Sequence, residues 1–130
     1  MKRLLTVTSL LFLSAVVNNL AAQQKKVTLF SLMNEKETGI SFLNAIQEDD
    51  SLNVMRYEYL YNGAGVGIGD FNNDGLKDIV FTANQVSSRI YINKGGNRFE
   101  DITERAGMVT HVWATGVSIV DINNDGYDDI

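Results

Sequence analysis

The sequence predicts an all-β chain built from repeated four-stranded units, and three observations carry that expectation. A motif recurs after 51 residues, short β-branched and aromatic runs fill the interval, and Gly/Asn-rich turns separate the runs. Offsetting the sequence by 51 aligns GVGIGDFNNDGLKDI (65–79) with GVSIVDINNDGYDDI (116–130), with ten of fifteen positions identical. A fixed period near 50 is the mark of a repeat architecture, and four-stranded β-propeller blades fall in that range.

The elements follow in order within the first repeat, about 64–114. Val66 and Ile68 alternate with Gly65, Gly67 and Gly69, a strand whose glycines let another backbone approach closely. Asp78–Ala83 and Arg89–Asn93 are short, β-branched and aromatic, which reads as two further strands. Lys94–Asn97 carries adjacent glycines, which permit the positive φ of a hairpin turn. A fourth strand is expected over Arg98–Thr103, then a connector from Glu104 to Met108, and a new unit opening at His111–Val120. The second repeat, 115–130, stops where its next strand would begin, so the sequence is expected to be the N-terminal piece of a longer protein. One blade and part of another do not close a ring, and strand edges are expected to stay exposed.

Residues 24–63 are less regular. Tyr57, Tyr59 and Tyr61 alternate with Glu58 and Leu60, which suggests a strand over 57–61 that in an intact ring would complete the last blade. Phe42–Glu48 reads as a helical turn or a loop.

Residues 1–23 have the layout of a secretory signal peptide: Lys2 and Arg3, an apolar run from Leu4 to Val17, then small residues ending at Ala21-Ala22-Gln23. The run is too short for a comfortable span of about 20 residues, so no transmembrane segment is expected after leader cleavage. The expected location is secreted, periplasmic or cell-surface. Loss of the leader moves the formal charge from 11 − 16 = −5 to 9 − 16 = −7. An acidic chain without a Lys/Arg cluster is a poor electrostatic match for nucleic acid. There is no cysteine, hence no disulfide and no lipid-bearing thiol. A secreted domain without disulfides needs other cross-links, and metal ions are the usual substitute.

The repeated loop supplies them on chemical grounds. Taken as positions 1, 3, 5, 7 and 9, the first loop offers Asp70, Asn72, Asp74, the Leu76 carbonyl and Asp78. The second offers Asp121, Asn123, Asp125, the Tyr127 carbonyl and Asp129. Three carboxylates in a nine-residue loop repel one another unless a cation joins them, and Ca²⁺ takes six to eight such hard oxygens. A backbone ligand at position 7 leaves its side chain free to vary, as Leu76 and Tyr127 do. Position 8, Lys77 or Asp128, is expected to point to solvent. An EF-hand is excluded because its twelfth position, a Glu, is here Phe81. Mg²⁺ suits the loop less, since it keeps rigid octahedral geometry and several waters. The competing reading is a metal-free Asx-rich turn, which accounts for one loop but not for two with the same ligand spacing.

These loops, the spacer SRIYINKGGNRFEDITERAGM and the lead-in YNGAGVGIGDFNNDG resemble FG-GAP/VCBS repeats, over roughly residues 38–130. In particular they look like the secreted cartilage-acidic-protein-like proteins that often carry an ASPIC/UnbV domain. The resemblance implies a β-propeller related to the integrin α-subunit head, with a Ca²⁺ in each such loop and a role in binding or adhesion toward a protein or glycan.

The remaining residues favour ordinary roles. His111 is the sole histidine, so no His/Cys catalytic pair or zinc cluster assembles; it reads as a surface or strand residue. Trp113 reads as blade core, and the three tyrosines as packing rather than sugar platforms. Gly65, Gly67 and Gly69 do not make a phosphate loop, because Asp70 stands in place of the third glycine's region and would repel phosphate. An enzyme of the propeller type, a polysaccharide lyase or hydrolase, is the alternative function, with its active site outside these residues.

Overall fold

A computed structural model describes residues 28–130; the expected leader, 1–23, lies outside them. The chain divides into two units, Met1–Leu32 and Met33–Ile130, and every element below belongs to the second. Among the described residues no helix is long and apolar enough to cross a membrane.

The core of the unit is one antiparallel sheet in the order β1-β2-β3-β4. Its strands are β1 (Val66–Gly69), β2 (Asp78–Phe81), β3 (Arg89–Asn93) and β4 (Phe99–Asp101). Register is set by Gly69 opposite Asp78, Val80 opposite Ile90 and Asn93 opposite Phe99. The four strands are those the sequence predicts, with β2 and β4 shorter at their ends. The hairpin between β3 and β4 forms at Lys94–Asn97: Gly95, Gly96 and Asn97 all take positive φ, and Lys94 N–H reaches the Arg98 carbonyl at 2.7 Å. Glycine and asparagine tolerate that backbone region where other residues do not.

Leu60, Val80, Ala83, Ile90, Tyr91 and Ile92 are buried. Phe42 stacks on Phe81 at 4.8 Å, and Phe81 meets Tyr91 edge-on at 5.9 Å, so the segment ahead of the sheet covers one of its faces. Phe42–Glu48 is a loop. Buried Asn84 ties that loop down: its side chain accepts from Asn44 at 2.7 Å and donates to the Gly63 and Ala114 carbonyls. Buried amides persist when each polar atom has a partner, and here one side chain clamps three segments.

One local expectation is corrected. Residues 57–61 are turns, not a strand: Tyr57 N–H bonds to the Asn53 carbonyl, Leu60 to Tyr57 and Asn62 to Tyr59. Leu60 is the buried residue of the segment, while Tyr59 and Tyr61 are exposed; tyrosine accepts either setting, so its alternation carried no strand signal. Tyr57 does pack, edge-on against Trp113 at 5.7 Å. An element the sequence analysis did not place is a short helix, α1 (Glu35–Thr38), set by an Asn34/Glu37 capping box and closed by Gly39 at φ 80. The pattern of a capping residue followed three positions later by Glu is legible in the sequence.

β4 is locked by Asp101. Its Oδ1 accepts the Thr103 hydroxyl at 2.6 Å and the Thr103 N–H at 2.9 Å, and Arg89 lies 3.2 Å from Oδ2. Burial pushes the carboxyl up, but the Thr103 bonds and the Arg89 charge outweigh it and hold the acid below its ordinary value. A lowered folded-state value stabilises the fold at pH above the unfolded value of about 3.9, and the contribution is lost as pH falls through the lowered one. Asp101→Asn is therefore expected to remove part of the stability loss below about pH 4, read by denaturant melts across that range in chelator. An acid limb identical to that of the unchanged protein would contradict this role.

Candidate metal centre

The two nine-residue loops fold alike. Asp74 N–H is shared by Asp70 Oδ1 at 3.0 Å and Asn72 Oδ1 at 3.1 Å. Asp125 N–H is shared in the same way by Asp121 Oδ1 at 3.1 Å and Asn123 Oδ1 at 3.0 Å. Gly75 and Gly126 N–H groups bond to the other oxygen of Asp70 and Asp121 at 2.9 and 2.8 Å. Leu76 and Tyr127 N–H groups bond to Asp74 and Asp125 at 2.8 and 2.9 Å. Asn73 and Asn124 share a left-handed backbone at φ 56 and 61, and Gly75 and Gly126 at φ 85 and 88. The equivalent ends also pair: Gly69 faces Asp78, and Val120 faces Asp129 in an isolated antiparallel bridge. The period of 51 in sequence is thus a period in structure.

Sequence reasoning places Asp70, Asn72 and Asp74 together, and the shared Asp74 N–H brings two of their oxygens to one point. The side chains of Leu76 and Tyr127 are exposed. Asp78 is different. It is fully buried, and its two oxygens accept Phe71 N–H at 2.9 Å and Asn93 N–H at 2.8 Å. Asp129 repeats the first of these bonds, with Ile122 at 3.0 Å.

The Leu76 N–H and then the Asn72 amide hold the Asp74 carboxyl below its ordinary value, with a smaller share from Lys94; Tyr127 N–H and the Asn123 amide do the same for Asp125. Ion pairs among the described residues, Arg89–Asp101, Lys94–Glu100 and Arg105–Glu100, leave the loop carboxylates out.

The donor set fits a hard cation. It is all oxygen, and a carboxylate that accepts one N–H on each oxygen retains acceptor capacity on both. Among the described residues no ion pair includes buried Asp78, whose partners are two backbone N–H groups. The loops are nonetheless not preformed cages: among the described residues no three His, Cys, Asp or Glu side chains are gathered as a ligand group. Asn72 Nδ2 instead bonds to Asp74 Oδ2 at 3.0 Å, as Asn123 does to Asp125 at 2.9 Å. A cation would displace that bond.

Asp128 corrects the expectation for position 8. It is partly buried, and its Oδ2 accepts Asp70 N–H at 2.9 Å. Asn73, which sequence reasoning passed over, donates to the Gly126 carbonyl at 2.8 Å. His111 is exposed and Trp113 half-buried.

The glycines of β1 bring the repeats together. A Cβ on Gly65 would lie 2.8 Å from the Gly116 carbonyl carbon, and one on Gly67 2.8 Å from Ile119 Cδ1. The close backbone approach expected from the three glycines is present at Gly65, where the neighbour is the Gly116–Val117 backbone; at Gly67 and Gly69 it is side chains, Ile119 among them, that come close.

Residues 70–130 match the family model of the FG-GAP-like repeat. No curated protein and no solved structure matches the chain.

Proposed function

From the FG-GAP-like repeat over residues 70–130, we propose that this chain contributes to a secreted propeller module for binding a protein or glycan, with Ca²⁺ stabilising the loops. The observation that carries the reading is the duplicated loop. Two sets of oxygen donors, 51 residues apart, hold the same hydrogen bonds and the same left-handed turns. The likeness to the cartilage-acidic-protein-like proteins belongs to the same proposal and rests on the two loops, the spacer between them and the lead-in YNGAGVGIGDFNNDG.

Asp70, Asn72, Asp74, Asp78 and the Leu76 carbonyl would hold one ion, and Asp121, Asn123, Asp125, Asp129 and the Tyr127 carbonyl the other. The ion would supply charge neutralisation for three carboxylates and a cross-link in a chain without disulfides. The donors are scattered in the unfolded chain, so ion affinity adds to folding free energy, by about 2.7 kcal/mol at free calcium one hundred times Kd.

Calorimetric calcium titration, with thermal melts in calcium and in chelator, tests the reading. About two ions per chain and a raised Tm are expected. Asp74→Ala and Asp125→Ala are each expected to remove one ion and to lower Tm mainly when calcium is present. A folded chain that binds no calcium, or equal Tm shifts with and without it, would sink the proposal.

A further inference from the structure

The two loops are bonded to each other as well as to their own strands. Asn73 Nδ2 donates to the Gly126 carbonyl at 2.8 Å, and Asp70 N–H donates to Asp128 Oδ2 at 2.9 Å. One bond runs from a side chain of the first loop to the backbone of the second, and the other runs from backbone to side chain. Both land inside the ligand loops, at position 1 of the first and position 6 of the second. Asn73 is held for this at φ 56. Asp128 stands where the first repeat has Lys77, so the acid is particular to this junction and not part of the repeating ligand pattern.

We propose that these two bonds make the loops a coupled pair for Ca²⁺, each ion raising the affinity of the other loop. The inference rests on the calcium reading above. An ion in the second loop fixes the backbone around Gly126 and Tyr127, which fixes the acceptor of Asn73 and the position of Asp128. The first loop is then partly ordered before its own ion arrives, and the second ion meets a smaller ordering cost. Repulsion between the ions works against this. The two loops carry seven carboxylates, Asp70, Asp74, Asp78, Asp121, Asp125, Asp128 and Asp129, so two divalent ions leave the loops net negative at 7 − 4 = 3 charges. Each ion still enters an anionic site.

Both bonds are short, and the Asp70–Asp128 bond is partly buried while the Asn73–Gly126 bond is exposed; a coupling of about tenfold in affinity is expected, within the usual range between linked sites. Linkage makes the effect reciprocal. Disabling the second loop with Asp125→Ala weakens the first loop about tenfold, and Asp74→Ala weakens the second by the same factor. Structural damage carries no such requirement of symmetry.

Calorimetric titration of the full chain with calcium chloride reads both affinities. The link is cut by Asn73→Gly with Asp128→Ala; glycine keeps the left-handed backbone without strain. In that background two ions still bind, and Asp125→Ala no longer changes the first loop. Asp128→Asn restores the coupling from that side, because an amide oxygen still accepts the Asp70 N–H. If the double variant fails to fold by near-ultraviolet dichroism of Trp113, Asn73→Gly alone carries the test. Unchanged first-loop affinity after Asp125→Ala in the otherwise unaltered chain overturns the coupling and leaves the calcium reading standing. A folded chain without calcium binding overturns both.

Discussion

Asp78→Ala is expected to destabilise the fold by about 2–5 kcal/mol, in chelator as well as in calcium. The carboxylate is fully buried and is the acceptor for two backbone N–H groups, Phe71 at 2.9 Å and Asn93 at 2.8 Å. Removing it orphans both donors, and each unsatisfied buried donor costs about 1–3 kcal/mol. For a domain of this size that corresponds to a fall in Tm of about 10–20 °C. Its counterpart Asp129 accepts a single exposed N–H, that of Ile122. Asp129→Ala is accordingly expected to cost about 1 kcal/mol or less in chelator. Melts of the two variants side by side, with and without calcium, separate the backbone role of position 9 from any ligand role. Equal losses in chelator would contradict the hydrogen-bond account.

Gly65→Ala is expected to cost about 1–3 kcal/mol by overpacking the junction between the repeats. The new Cβ would meet the Gly116 carbonyl carbon and the Val117 nitrogen, each at 2.8 Å. These are backbone atoms, which do not rotate aside as a side chain does. Neither wall is free to give. Gly65 is bonded on both sides to Thr82, and Ala114 N–H is bonded to the Ala83 carbonyl at 3.0 Å. Faster hydrogen exchange at the Ala114 and Val120 amides would localise the damage to the junction. Gly75→Ala is the comparison. It has open space around it but φ 85, so its loss, about 1 kcal/mol, comes from backbone strain alone and leaves the junction protected. Unchanged stability and exchange in Gly65→Ala would show that the backbones move apart at little cost.

Local chemistry carried the parts that were legible in the sequence. β3, Arg89–Asn93, and the Lys94–Asn97 turn are written in β-branched residues and glycines, and the loops announce themselves by repeating. The turns at 57–61 were not legible, because Tyr-Glu-Tyr-Leu-Tyr mimics a strand period while the burial that decides the matter falls on Leu60. Asp128 was missed for a different reason. Its partner, Asp70, is 58 residues away, and only the folded arrangement of two repeats makes them neighbours. An acid at a variable position has no local signature of that contact. The two Asp/Asn loops themselves were read from spacing, yet spacing did not reveal that Asp78 is buried and accepts two backbone N–H groups.

The exposure of β1 gives the junction a direction. Val66 and Ile68 are 61% and 63% exposed on one face of the strand, while the glycines on the other receive Ile119. Ile119 is the counterpart of Ile68, so each unit presents a peg on one flank and the first unit offers a socket on the other. Ser118 and Val120 occupy the places that Gly67 and Gly69 leave hollow. The second unit therefore has the peg without the same socket, and the two are not interchangeable bricks. Exchanging them in the chain would set Cβ atoms against an isoleucine where a cavity is needed. The order of the units is thus written in shape, by two missing side chains, independently of any ion the loops hold.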